Sequence, residues 1–387
     1  MSSLVSVKQA LELIDVSGNV MKKNKQNKWL LKTRKIIVIG FIGLLILCST
    51  HTDKLAYGQD PTLRYGTGVP PSVRTINDRC LRYLVNTQLD DGSWQASRNG
   101  AGITGICLMA FMASGEDPDY GPYAENIRKA LRNIITTQNP KSGFLQGSGH
   151  GSMYHHGFAM LALSEAYGAV SDELLWKDSG TPESKRRTIG EALELAVRCA
   201  LTAQEKNPWG AWRYTLTARD ADTTVAGTVL MGIFGARNAG IEVPNEAIEK
   251  ALNFFQTCTS RGGGVSYMPS RSHGDSITRS AIATLVYAIG KRKDTQEYKA
   301  TAEFIKRRLD YNVSGGYMFY TLYYMAQALF QSDFEAWQAW NVSTIERLQK
   351  LQRGDGSFNS NYGRAYGTGM AVLTLALNYR LLPIYER

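Results

Sequence analysis

Asp220-Ala221-Asp222-Thr223-Thr224 sets two carboxylates directly before an apolar segment. Protonating an uncharged carbon demands a carboxylic acid kept neutral by a dry cavity or made unusually acidic by hydrogen bonds. Asp222 is the candidate for that acid by position, since it ends a predicted loop that carries Trp209, Trp212 and Tyr214 and opens an apolar helix. The same residues also fit a plainer role. Aspartate is a favoured helix N-cap, and Thr223-Thr224-Val225 reads as the opening of a helix. Cap hydrogen bonds favour the charged carboxylate and are expected to lower the pKa of Asp222. A cap and a strong acid are compatible in one side chain.

Three other groups of residues have chemical potential. His150, His155 and His156 fall within seven residues of a Gly-rich stretch. Paired imidazoles bind transition metals, but the next acid, Glu165, lies nine residues beyond His156. No metal or cofactor is therefore expected, and His155 and His156 read as packing or ligand-facing side chains. Trp209, Trp212 and Tyr214 share one predicted loop and Tyr267 the next, while Tyr320, Tyr323 and Tyr324 recur at helical spacing. Such rings stabilise a carbocation through cation–π attraction, hold a polyisoprenoid or sugar by contact area, or simply fill a core. Arg213 and Arg279 either hold an anionic head group or pair with Asp220 and Asp275.

These residues are positioned by a repeat. An amphipathic helix ending in Gln leads through a Gly-aromatic loop into a strongly apolar helix. The phrase is clearest at Arg79 to Gln88, Asp90-Asp-Gly-Ser-Trp94 and Gly102 to Gly115, and again at Ile345 to Gln352, Asp355-Gly-Ser-Phe358 and Gly367 to Leu377. Further copies end at Gln138, Gln204 and Gln256, and a degenerate fifth copy spans Lys299 to Gln331. The longer spacing between Gln138 and Gln204 carries an insertion at Asp172 to Arg187. Helices of the first type have one apolar stripe, as in Ile127, Leu131, Ile134 and Ile135, with Arg128, Lys129, Arg132 and Asn133 elsewhere. They belong outside, with one wet face. Helices of the second type, such as Ile106 to Met112 and Met370 to Leu377, are apolar all round and belong inside. The expectation is an all-α fold: a closed α/α toroid of six helical hairpins, with inner and outer helix rings.

Composition agrees with a folded body behind a leader. The chain has 387 residues, 43% hydrophobic and 20% charged, which excludes a disordered or collagen-like protein. Its net charge of +10 is concentrated at the start, where residues 1–58 hold nine basic and three acidic side chains. The remainder carries 35 basic against 31 acidic, too even to suggest nucleic acid as a partner. Lys22 to Lys35 precede an apolar run from Ile36 to Leu47, which reads as a signal peptide or an uncleaved signal anchor, with Met21 a plausible initiator. The expected organisation is leader 1–58, linker 59–74 and toroid 75–387, in an exported protein that is periplasmic or, through its N-terminal segment, membrane-associated. Cys80, Cys107, Cys199 and Cys258 show no CxxC spacing and sit in apolar segments, which points to buried thiols rather than a disulfide framework.

The Gln88-x-x-Asp-Gly-Ser-Trp94 phrase, preceded by Leu84, resembles the QW repeat of squalene and oxidosqualene cyclases. The body from Thr75 to Arg387 resembles a bacterial, exported, single-domain member of the prenyltransferase/squalene-oxidocyclase repeat superfamily. The resemblance implies that Gln and aromatic ring tie neighbouring helices together. It also implies a cyclase reading for Asp220 to Thr224, which resembles the Asp-x-Asp-Asp-Thr motif of class II terpene cyclases. Asp222 then matches the middle acid and Asp220 the first, both as catalytic acids, and Thr223 stands where the last Asp would be. The zinc set of prenyltransferase β subunits is not matched, because Asp78-Arg79-Cys80 opens an outer helix. The fold serves many chemistries. The leading expectation is a binding protein for a small apolar, isoprenoid or envelope-polymer ligand. The alternatives are a terpene cyclase-like isomerase using Asp222 and a polysaccharide lyase or hydrolase in the same barrel.

Overall fold

A computed structural model of the chain describes residues 69–379 and 382, apart from 150, 270–275 and 312. The leader 1–58, most of the linker, His150 and Asp275 lie outside the described residues. Six hairpins follow one another. They are α1 (Pro71–Thr87) with α2 (Ala101–Met112), α3 (Ala124–Thr137) with α4 (Ser152–Ala166), and α6 (Ile189–Glu205) with α7 (Thr223–Asn238). Then come α8 (Asn245–Cys258) with α9 (Ile277–Ile289), α10 (Gln296–Lys306) with α11 (Met318–Ser332), and α12 (Phe334–Leu351) with α13 (Arg364–Leu375). The insertion between the second and third hairpins holds a short helix, α5 (Asp172–Trp176), and a 3₁₀ turn at Glu183–Lys185.

The apolar helices make the inner ring. Each of α2, α4, α7, α9 and α11 packs on the next, and α13 packs back against α2 to close the circle. In α2 every residue from Ala101 to Phe111 is buried, as a helix apolar on all sides requires. Close approach depends on small residues: a Cβ added to Gly157 of α4 would stand 2.8 Å from the backbone of Thr228 on α7. The outer helices keep one stripe inward, as α3 does with Ile127, Leu131, Ile134 and Ile135. The chain is therefore an α/α toroid of two concentric helix layers.

Repeated polar staples lock the layers. Gln88 Nε2 donates to the carbonyls of Gly92 (3.0 Å) in its own loop and Asn126 (2.9 Å) on the next outer helix. Gln138 does the same to Gly143 and Ala192, Gln204 to Gly210 and Ala247, and Gln352 to Gly356 and Ile76. The last of these joins the final repeat to the first. Gln256 departs from the set and bonds Glu297 instead. The loop glycine is obligatory: Gly92 has φ of 86°, and a Cβ there would overlap the Lys129 carbonyl. Two residues after that glycine an apolar side chain is buried in five of the six hairpin loops, as Trp94, Leu145, Trp212, Val265 and Phe358, whereas Tyr317 after Gly315 is exposed. Trp94 Nε1 donates to the Leu84 carbonyl at 2.9 Å, and Trp212 Nε1 to the Ala200 carbonyl at 2.8 Å. Cys80, Cys107, Cys199 and Cys258 are buried free thiols.

Candidate functional site

A cavity of about 760 Å³ opens where the inner helices begin. Its wall draws on the loop or first turns of all six: Arg98 and Ile103 before and on α2, Tyr154 on α4, Arg213 before α7, Arg279 on α9, Tyr320 on α11 and Tyr366 on α13. Ile103, Ile106 and Phe158 supply apolar surface, and seven tyrosines stand around them. Tyr317, 66% exposed, stands on one side. Tyr362 follows at 6.3 Å between ring centroids and Tyr366 at 5.2 Å from Tyr362, so the rings step from exposed to buried. Elsewhere on the wall, Tyr154 lies 6.4 Å from Tyr214 and 6.1 Å from Tyr320.

The charged side chains among the described wall residues have one sign. Arg98, Arg213 and Arg279 line the cavity, and among the described residues no carboxylate does. The Arg213 guanidinium lies 5.0 Å from the Tyr214 ring centroid and 5.6 Å from that of Tyr267. It pairs with Asp220, and its Nε is 3.7 Å from Asp222 Oδ2. His155 is on the wall and nearly buried, and burial lowers its pKa to about 4, so it is neutral near pH 7. Burial also holds the Tyr154, Tyr267 and Tyr320 phenols well above their ordinary range, so these hydroxyls keep their protons. Among the described residues no three His, Cys, Asp or Glu side chains are grouped to hold a metal ion.

Asp222 is the cap of α7. Its Oδ1 accepts from the backbone N–H groups of Thr224 and Val225, both at 2.9 Å, and from Thr224 Oγ1 at 2.6 Å. The carboxyl is 0% exposed and does not reach the cavity wall. Burial raises its pKa, although the bonds from Thr224, Val225 and Tyr267 pull downward. That reverses the direction expected from capping alone, because desolvation exceeds the hydrogen-bond stabilisation. Thr224 Oγ1 also lies 2.6 Å from the Tyr154 hydroxyl, and Tyr154 is on the wall.

The residues singled out from sequence divide between the wall and the frame. Arg213, Tyr214, His155, Tyr267, Arg279 and Tyr320 line the cavity. Asp220 is half-exposed beside Arg213, and Asp222 lies behind the wall. Trp212 is placed elsewhere, because its indole is the third-repeat staple described above. Trp209 is 41% exposed in the same loop and does not line the cavity. His156 is buried in the frame: it accepts from Leu145 N–H at Nδ1 (3.1 Å) and faces the Ala196 carbonyl with Nε2 (3.0 Å). Tyr324 is buried beside Thr228, 3.1 Å from its hydroxyl. The inner helix α4 starts at Ser152, so His155 and His156 lie within its first two turns and not in the Gly-rich loop before it. Sequence reasoning missed Arg98, Tyr154, Tyr317, Tyr362 and Tyr366. Their signal is position, since each falls at or just before the first turns of an apolar helix.

No protein-family model and no curated protein matches the sequence. Solved structures do share its shape. A GH76A α-1,6-mannanase from Salegentibacter sp. HEL1_6 is 10% identical, with a TM-score of 0.56 over 80% of this chain and 99% of that one. An α-amylase from Clostridium perfringens is 10% identical, with a TM-score of 0.52 over 81% and 100%. The type II terpene cyclase MstE from Scytonema, in complex with merosterolic acid A, is 15% identical, with a TM-score of 0.53 over 80% and 98%. At these identities the likeness establishes the fold, a toroid used for both glycan and terpenoid ligands by the proteins named.

Proposed function

We propose that the toroid is a binding protein for a small organic anion with an apolar or ring-shaped body, taken up at the inner-helix N-termini. The observation that carries this is the one-signed wall: three guanidiniums and seven tyrosines, with no carboxylate among the described lining residues. The N-terminal ends of the helix dipoles add to it, because they favour negative charge. Four of the six inner helices, α2, α4, α11 and α13, open without a side-chain cap. The apolar floor and the tyrosine rings give the body of the ligand contact area. The leader expected to direct export would put that ligand in the cell envelope. A glycosidase reading is less well supported, since that chemistry uses two facing carboxylates. Direct protonation of an alkene by Asp222 is also less well supported, because the carboxyl is spent on the α7 cap behind the wall.

Calorimetric titration of the full chain tests the reading with matched pairs: oleate and oleyl alcohol, farnesyl phosphate and farnesol, trigalacturonate and its trimethyl ester. At least one anion should bind more tightly than its neutral partner by roughly tenfold, and Arg279→Ala should remove that advantage. Equal binding of charged and neutral partners would contradict it.

A further inference from the structure

Tyr154, a residue of the cavity wall, is joined to the buried carboxylate of Asp222 through the single side chain of Thr224. Tyr154 Oη and Thr224 Oγ1 are 2.6 Å apart, and Thr224 Oγ1 donates to Asp222 Oδ1 at 2.6 Å. Since the Thr224 proton is directed at Asp222, the Tyr154 hydroxyl donates to Thr224. The chain therefore runs from cavity to carboxylate with every proton pointing inward. Tyr320 braces it by donating to the Thr224 carbonyl at 2.9 Å, and its ring meets that of Tyr154 edge-on. Arg213 stands near the outer end, since its guanidinium and the Tyr154 ring both flank Tyr214.

From this juxtaposition we infer that Tyr154, Thr224 and Asp222 form a proton relay that removes a proton from carbon next to a carboxylate of the bound ligand. This rests on the anion-binding reading above. In the forward step the C–H bond breaks and its proton passes to Tyr154 Oη. The Tyr154 proton passes to Thr224 Oγ1, and the Thr224 proton to Asp222 Oδ1. The C–H electron pair moves into the ligand carboxylate, whose added negative charge a guanidinium of the wall can neutralise. Reversal returns a proton to carbon, so the whole step conserves atoms and charge and needs no oxidant or second reactant. Tyr154 is the group that touches the ligand; Thr224 and Asp222 act through it. A burial effect alone does not require this arrangement, because a phenol packed in the wall can be satisfied by one acceptor without a carboxylate beyond it.

Deuterium exchange tests the relay apart from binding. The full chain is saturated with trigalacturonate, or separately with oleate, in deuterium oxide, and deuterium at the carbon beside the carboxylate is followed by nuclear magnetic resonance and mass spectrometry. The expected result is exchange above the protein-free rate, falling by roughly a hundredfold in Tyr154→Phe and in Thr224→Val measured at saturation. A purely structural Tyr154 would change melting without any exchange to lose. If a probe binds in calorimetry and no exchange occurs, the relay is overturned while the binding reading stands. If exchange persists in Tyr154→Phe, the relay is likewise overturned. If neither probe binds, both readings fail for carboxylates.

Discussion

Asp222 answers two demands that oppose each other. Three hydrogen bonds at Oδ1 favour the anion, while complete burial disfavours it and prevails. A carboxyl whose folded pKa is raised binds its proton more firmly in the folded state. Its contribution therefore favours folding at low pH and is lost as pH rises from the unfolded value of about 3.9 through the folded one. Asp222→Asn keeps a cap-competent side chain and should fold, with this falling limb absent from a plot of unfolding free energy against pH. An unchanged limb would assign it to another group. His156 behaves in the opposite sense. Burial lowers its pKa to about 4, against the pull of the Ala196 carbonyl, and protonation at Nδ1 would also break the bond from Leu145 N–H. Stability from this group is present above the unfolded value of 6.5 and is lost as pH falls toward about 4. His156→Gln should lower the melting temperature at neutral pH and make acid destabilisation shallower, both read by calorimetry.

At the scale of elements, the hairpin loops rather than the helices carry the repeat. Gln at the end of the outer helix, a left-handed glycine and a buried side chain two residues later recur while loop length varies. Trp94 is 1% exposed and its indole N–H is satisfied by Leu84. Trp94→Ala should therefore cost about 3–5 kcal/mol, and Trp212→Ala about as much, measured by urea unfolding. A cost under about 1 kcal/mol for either would show that the ring is not a staple. Gly92→Ala should also destabilise, through positive φ and overlap with the Lys129 carbonyl. This rule also explains what the sequence conceals. Reading Gln88 to Trp94 as one phrase links Gln and Trp at a fixed spacing, whereas the third repeat adds two residues between Gln204 and Trp212. Trp212 then looks like a spare aromatic beside Trp209 and Tyr214. The pair Gly210-x-Trp212, matching Gly92-x-Trp94, is the signal that separates frame from wall.

Over the whole molecule, helix period and apolar content specify the ring. An outer helix needs one wet face and an inner helix none, and that contrast is written in α2 and α3. Closure follows because α13 and α12 meet α2 and α1 as any hairpin meets the next. The site is less legible for a physical reason. An inner helix is apolar all round, so periodicity does not say which of Tyr320, Tyr323 and Tyr324 faces the hole. Only Tyr320 does; Tyr323 and Tyr324 are buried within the helix layers. Tyr154, Tyr317, Tyr362 and Tyr366 come from three different hairpins, and their meeting depends on ring closure. What the ring creates is a tyrosine-lined opening with converging helix N-termini and guanidiniums but no described carboxylate on its wall. The direct measurement is calorimetric titration of the full chain with the three charged and neutral ligand pairs, in wild type and Arg279→Ala. The account predicts an anion bound more tightly than its neutral partner by roughly tenfold in wild type and equally in the variant. Binding of the neutral partner with equal or greater affinity in wild type would contradict it.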